Sequence, residues 1–189
     1  MRVASVCLGS LATNCYLVEH ADGVILIDPA EDSGALRALV GDRKVSFIIN
    51  THGHSDHTGG DWAYPKAPVR IHAADLPFLA ETHPGHPPLG DGLEDGEIIL
   101  EGLSVVHTPG HSPGSIVLAG EGVLFAGDLL FAGSIGRTDL PGGSIEQMIE
   151  SLRRIVGLPG DYTVYPGHGE TTTLELERRC NPFLVGLGA

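Results

Sequence analysis

The sequence predicts an α/β protein in which two mixed sheets are flanked by helices. Three observations carry this expectation. Short apolar runs bounded by Gly, Pro and Asp recur along the chain and fall into two groups, and each group is followed by segments of helical character. At 189 residues, the length suits one domain with a sizeable core, expected to span 1–189. Hydrophobic content of 42% with 19% charged residues is that of an ordinary globular chain.

Residues 2–8, 15–20 and 24–28 read as three strands, with Ala21-Asp22-Gly23 as an Asp-Gly hairpin signal. Asp28-Pro29 ends the third. Ser33 is placed to cap a short helix through Val40, closed by Gly41. Val45 to Ile49 is a buried strand, Val69 to His72 a short one, and Ala74 to Glu81 a short helix. The stretch Thr82 to Gly92 lacks periodicity and reads as a surface lip carrying His83 and His86. Strands follow at 97–100, 103–108, 115–119 and 122–126, then a helix from Ser144 to about Val156. Tyr162 to Tyr165 is another strand, and a last helix runs from Thr173 to Cys180, before Pro182.

Composition excludes several classes. A formal charge of −13, with only 11 Lys and Arg, argues against a nucleic-acid partner. No run approaches the ~20 apolar residues of a membrane span, so no membrane partner is expected. Cys7, Cys15 and Cys180 make neither a disulfide framework nor a metal knuckle, and they suit a reducing cytoplasm as buried structural thiols. The apolar N-terminus reads as strands, because one basic residue and Asn14 before Cys15 fit a lipoprotein signal poorly. A monomer or small homo-oligomer is expected.

The densest chemistry follows the strand Val45–Ile49. In Thr51-His52-Gly53-His54-Ser55-Asp56-His57-Thr58-Gly59-Gly60, four side chains able to ligate a metal fall within six residues. Small residues between and after them leave room for an ion. Imidazole and carboxylate suit zinc, iron or manganese. Three later apolar runs also end in such residues: Thr108-Pro109-Gly110 precedes His111, Ala126-Gly127 precedes Asp128, and Pro166-Gly167 precedes His168. Pro and Gly at these steps permit a turn that aims the next side chain inward. If the strands run the same way, their ends share one rim.

His52-x-His54-x-Asp56-His57 resembles the signature of the metallo-β-lactamase superfamily, and the later segments are similar to a short, single-domain glyoxalase II-like hydrolase. The resemblance implies the αββα metallo-β-lactamase fold. It also implies two divalent ions per chain, zinc foremost, with iron or manganese as alternatives. By residue-wise carry-over, His52, His54 and His111 hold one ion and Asp56, His57 and His168 the other, while Asp128 bridges both. The implied reaction is hydrolysis of a small-molecule acyl thioester by a metal-bridging hydroxide, with Asp56 and Asp128 as catalytic carboxylates. Asp28 is similar to an Asp that braces the metal loop in this family. His107, His20 and His72 read as packing or structural residues.

The segment from Phe131 to Gly143 is similar both to glyoxalase II-like proteins and to persulfide dioxygenases. Within it, Arg137 is the residue expected to meet a substrate carboxylate, or else to form a structural salt bridge. Tyr165-Pro166-Gly167-His168-Gly169-Glu170 with Asn181-Pro182-Phe183-Leu184 is similar to the glyoxalase II side. Two-domain glyoxalase II enzymes carry a C-terminal helical domain that binds glutathione, whereas this chain ends about twenty residues past His168. Thioester hydrolysis is therefore expected with the thiol carrier left open. The alternatives are a mononuclear iron persulfide dioxygenase, a lactonase, and a non-catalytic metal-binding protein.

Overall fold

A computed structural model describes residues 1–82, 90–100 and 102–187. Residues 83–89, which hold most of the expected lip and its His83 and His86, lie outside the described residues. Internal contacts divide the chain into two units, Met1–Leu93 and Glu94–Ala189.

The first unit is a five-stranded mixed sheet in the order β1-β2-β3-β4-β5. β1 (Val3–Leu8), β2 (Thr13–His20) and β3 (Gly23–Ile27) form an antiparallel meander, while β4 (Val45–Ile49) and β5 (Val69–Arg70) join in parallel. The parallel step from β3 to β4 needs a crossover, supplied by α1 (Gly34–Val40). Its Ser33 cap is real: the hydroxyl accepts Leu36 N at 3.3 Å, a contact worth about 1 kcal/mol. Leu36 and Val40 bury fully against Leu17, Leu26 and Ile48, which contributes about 1.5–3 kcal/mol for each such side chain.

The hairpin expected at Ala21-Asp22-Gly23 forms, but Gly23 pairs with His20 as the first residue of β3. Its lack of a Cβ serves packing, since a side chain there would collide with the carbonyl of Lys44. The expected helix at 74–81 is a 3-10 turn, Ala73–Asp75, running into α3 (Leu76–Thr82). A one-turn helix that the sequence pattern did not reveal, α2 (Ser55–Thr58), lies within the metal motif.

The second unit is a six-stranded mixed sheet built from β6 (Ile98–Leu100), β7 (Leu103–His107), β8 (Ile116–Gly120), β9 (Val123–Gly127), β12 (Thr163–Pro166) and β13 (Thr172–Thr173). Their order is β13-β12-β9-β8-β7-β6. A small hairpin, β10 (Leu130–Phe131) with β11 (Ser134–Ile135), stands apart from this sheet. β13, β10 and β11 are two residues each, too short for alternation to show. β7 and β9 both pair antiparallel with β8, and β12 runs parallel to β9. The C-terminal ends of β7, β9 and β12 therefore point the same way.

α4 (Ile145–Val156), capped by Ser144, buries Met148, Leu152 and Ile155 with Val117, Leu124 and Val164. α5 (Leu174–Cys180) is capped by Thr173. Among the described residues no helix is long and apolar enough to cross a membrane.

Candidate metal centre

In the first unit, a cluster of candidate ligands hangs from the end of β4. Beyond Ile49 the chain stays buried through Asn50, Thr51 and His52, so its polar groups need internal partners. Asn50 Nδ2 donates to Asp61 Oδ2 at 2.7 Å. Asp28, just past β3, accepts the Thr51 amide at Oδ1 and the Thr51 hydroxyl at Oδ2, each at 2.7 Å. The same Oδ2 lies 2.9 Å from His57 Nδ1. A carboxylate can only accept, so the His57 proton sits on Nδ1 and the lone pair on Nε2.

His54 occupies the position before α2, and that single turn carries Asp56 and His57. The His52 ring centroid lies 4.7 Å from that of His54 and 4.1 Å from that of His57. His57 Nε2 stands 3.6 Å from Asp56 Oδ2.

The small residues here have a different use from the one expected. Side chains at Gly59 or Gly60 would collide with the carbonyls of Ala30 or Pro29. They are small so that the turn after β3 can pack on them. Gly53 is likewise pressed against Asp75 and Phe78.

In the second unit, another cluster gathers at the shared rim of β7, β9 and β12. Gly110 takes a φ of 141° and leaves no room for a side chain beside Met148 of α4. Its carbonyl accepts Ser144 N, and Ser151 Oγ donates to Pro109 O at 2.7 Å, so α4 locks the loop that delivers His111. Gly167 keeps an ordinary φ, and its amide bonds the carbonyl of Gly127, tying the β12 exit to the β9 exit.

His111 is buried, and its Nδ1 lies 2.8 Å from the carbonyl of Arg137. A carbonyl only accepts, so again the proton is on Nδ1. His111 Nε2 then faces Asp128 Oδ2 at 3.4 Å, and His168 Nε2 faces the same oxygen at 3.6 Å.

These spacings test whether the residues suit metal ions. Two ligands each about 2.1 Å from one ion, at tetrahedral angles, stand about 3.4 Å apart. The three imidazole–carboxylate separations fall at that value, beyond ordinary hydrogen-bond length. Imidazole nitrogens backed by oxygen acceptors, beside carboxylates, are the donor set that holds zinc or iron. The side chains fit.

Several residues fall where the sequence reading put them. His107 braces the loop that carries His111: its Nε2 lies 2.9 Å from Pro113 O, while its amide donates to Asp95. His20 accepts from Asp22 N, and His72 accepts from Ala74 N. Of the thiols, only Cys15 is buried; Cys7 and Cys180 are exposed, contrary to the expectation that all three are structural. Burial first, then the charges of Asp28 and Asp61, push the Cys15 thiol far up, so it stays protonated. Arg137 forms the salt bridge foreseen as one of its two roles, pairing bidentately with Asp139 at 2.7 and 2.8 Å. Both side chains remain more than half exposed.

Motif reading missed Asp75, whose Oδ2 accepts the Gly53 amide at 2.7 Å. It also missed Gly136, where a Cβ would collide with the Asp128 carbonyl and come within 3.3 Å of His111 Nδ1. Neither position announces its packing partner in the sequence.

A model of the metallo-beta-lactamase superfamily matches residues 8–168, a span that includes every candidate ligand. The chain belongs to the metallo-β-lactamase superfamily. Within that superfamily it is 33% identical to hydroxyacylglutathione hydrolase GloC of Haemophilus influenzae, over 97% of this chain and 98% of that one. Among solved structures, TTHA1623 in a di-iron-bound form is 40% identical with a TM-score of 0.88, covering 96% of this chain and all of that one. The BLEG-1 B3 metallo-beta-lactamase is 35% identical with a TM-score of 0.83, covering 98% and 100%. The αββα metallo-β-lactamase fold is therefore the fold of this chain.

Proposed function

We propose that this chain is a dinuclear metal-dependent hydrolase of acyl thioesters, of the hydroxyacylglutathione hydrolase kind. The observation that carries the reading is shared by His57 and His111. Each has Nδ1 tied to an oxygen acceptor and Nε2 set at ligand spacing from a carboxylate. The relative that spans nearly the same length and is named for that activity supports the substrate class. The neighbour solved in a di-iron form supports two ions.

In this reading His52, His54 and His111 hold one ion, Asp56, His57 and His168 the other, and Asp128 serves both. When bound, such a pair supplies an acidified water near neutral pH and a Lewis acid for the carbonyl oxygen. Asp56, whose Oδ2 lies 3.6 Å from His57 Nε2, is in this reading the carboxylate that would take the proton of the attacking water. The Asp28 carboxylate keeps His57 in one tautomer throughout. In this reading Arg137 receives a substrate carboxylate once Asp139 gives way, because an exposed pair of this kind is worth about 0–1 kcal/mol. The donor set accepts zinc, iron or manganese.

The test compares His111→Ala with His168→Ala, with metal content measured beside each rate. Both should lose about 10²-fold or more in thioester hydrolysis, the scale for groups that stabilise the transition state directly. Near-normal hydrolysis by a folded, one-metal His168→Ala protein would sink the dinuclear reading. A persulfide, a lactone and a β-lactam belong in the same substrate panel. Oxygen consumption with the persulfide that survives His168→Ala but not His111→Ala would favour the dioxygenase alternative.

A further inference from the structure

Two buried carboxylates outside the proposed ligand set hold the loop 51–57, and they hold different parts of it. Asp28 grips Thr51, meets His57 Nδ1, and reaches His52 through the Thr51 hydroxyl, which lies 3.2 Å from His52 Nδ1. It therefore touches one ligand set directly and is linked to the other through Thr51. Asp75 comes from another element, the 3-10 turn ahead of α3. Its Oδ2 takes the amide of Gly53, the residue between His52 and His54.

The contact around Gly53 is close. A Cβ on Gly53 would stand 2.9 Å from the Asp75 carbonyl and 3.0 Å from Phe78 Cβ. The Phe78 ring meets the His54 ring edge-on at 5.7 Å. The turn that carries Asp75 is itself pinned, with Asp75 N bonded to His72 O at 3.0 Å and Ala74 N to His72 Nδ1 at 3.3 Å.

In a His-x-His step the peptide planes on either side of the middle residue set how the two imidazoles converge. Successive side chains of an extended segment point to opposite faces, and residues two apart share one face. Rotation at residue 53 splays that pair. A buried carboxylate on the Gly53 amide resists the rotation, because a hydrogen bond to a carboxylate is stronger than a neutral one and is lost when the amide turns away.

We propose that Asp75 is a positioning residue for the ion held by His52 and His54, acting through the Gly53 amide, and that it leaves the ion held by Asp56 and His57 largely unaffected. The inference rests on the two-ion reading above. It also assigns a reason for glycine at position 53 that ligand spacing alone does not supply.

The experiment titrates the metal-free protein with Co²⁺, following both d–d absorption and bound metal. His54→Ala and His168→Ala provide reference spectra for loss of one ion or the other. Asp75→Ala should weaken one ion about 10–100-fold, the usual scale for such outer partners, and leave a spectrum like that of His54→Ala. Asp75→Asn, which keeps an oxygen to accept the Gly53 amide, should stay near the wild-type curve. Asp28→Asn should weaken both ions, showing that the titration resolves the difference. Should Asp75→Ala fail to fold, Gly53→Ala tests the same contact with the carboxylate intact, and should also weaken the His52/His54 ion.

Two full-strength ions in Asp75→Ala or in Gly53→Ala would overturn the proposal. Equal weakening of both ions in Asp75→Ala would overturn it too, as general loosening. A wild-type protein that takes fewer than two Co²⁺ defeats the two-ion reading itself. Two ions in wild type with an unselective Asp75→Ala defeats only the role of Asp75.

Discussion

Asp28 Oδ2 lies 2.9 Å from His57 Nδ1, with both side chains buried. The carboxylate reaches this place because Asp28 leaves β3 with a φ of 52°, a conformation that costs most L residues about 1–2 kcal/mol but that Asp and Asn tolerate. The strained backbone and the buried hydrogen bonds are one device. It turns a strand end back on the loop that follows the neighbouring strand.

Replacing Asp28 should therefore damage stability in a fixed order. Asp28→Asn keeps the backbone preference but offers an amide where His57 donates, and should cost about 1–3 kcal/mol. Asp28→Ala loses the tolerance as well, adding about 1 kcal/mol. Urea unfolding at unchanged m reads the order directly; Ala milder than Asn would refute it.

Gly136→Ala should be severe for its size. The new methyl meets the Asp128 carbonyl and the His111 ring together, and overpacking of this kind costs about 1–3 kcal/mol. Hydrolysis should fall more than stability explains, since Asp128 and His111 must shift. Gly34→Ala, where the methyl meets nothing within 4 Å, should be neutral or slightly stabilising. Thermal melts and rates of the two variants, side by side, check the contrast.

Arg137→Ala should act on substrate charge. With a thioester bearing a carboxylate, KM should rise about 10-fold or more, the worth of a charge-assisted pair; with an uncharged thioester it should change little. Asp139→Asn frees the guanidinium and should lower KM for the charged substrate. Equal KM changes for both substrates would leave Arg137 as a salt-bridge residue only.

One pH effect has a definite sign. The Asp95 carboxyl is held below its usual value chiefly by hydrogen bonding to Arg154, with burial opposing and the His107 amide helping. A depressed folded value means that the stabilisation is complete above the ordinary carboxylate value and drains away as pH falls through the folded one. Asp95 and Arg154 are about half exposed, so the effect is below about 1 kcal/mol. The gap between wild type and Asp95→Asn in unfolding free energy should be steady near neutrality and close in acid. A gap that widens in acid would contradict this assignment.

Much of this molecule was legible in local pattern. Ser33 and Ser144 cap helices as placed, because a hydroxyl followed by an amphipathic run is a short-range signal. The strands at 45–49 and 103–107 showed as apolar runs. The two-residue strands β10, β11 and β13 were invisible, being shorter than any periodicity. The hairpin glycine at 23 takes the positive φ that a turn signal foresees, 143°, but it also packs against the carbonyl of Lys44, which is distant in sequence.

The residues His52, His54, Asp56, His57, His111, Asp128 and His168 were named from sequence, because ligand chemistry resides in side-chain type and motif spacing. Tertiary structure decided what those residues can do. It brought β7, β9 and β12 to one rim, so that His111 and His168 meet one oxygen of Asp128. It also set each tautomer through acceptors far along the chain, Asp28 for His57 and the carbonyl of Arg137 for His111. A hydrogen bond between residues 29 or 26 positions apart leaves no periodic trace, since chain separation carries no information about which distant group a fold will bring within 3 Å.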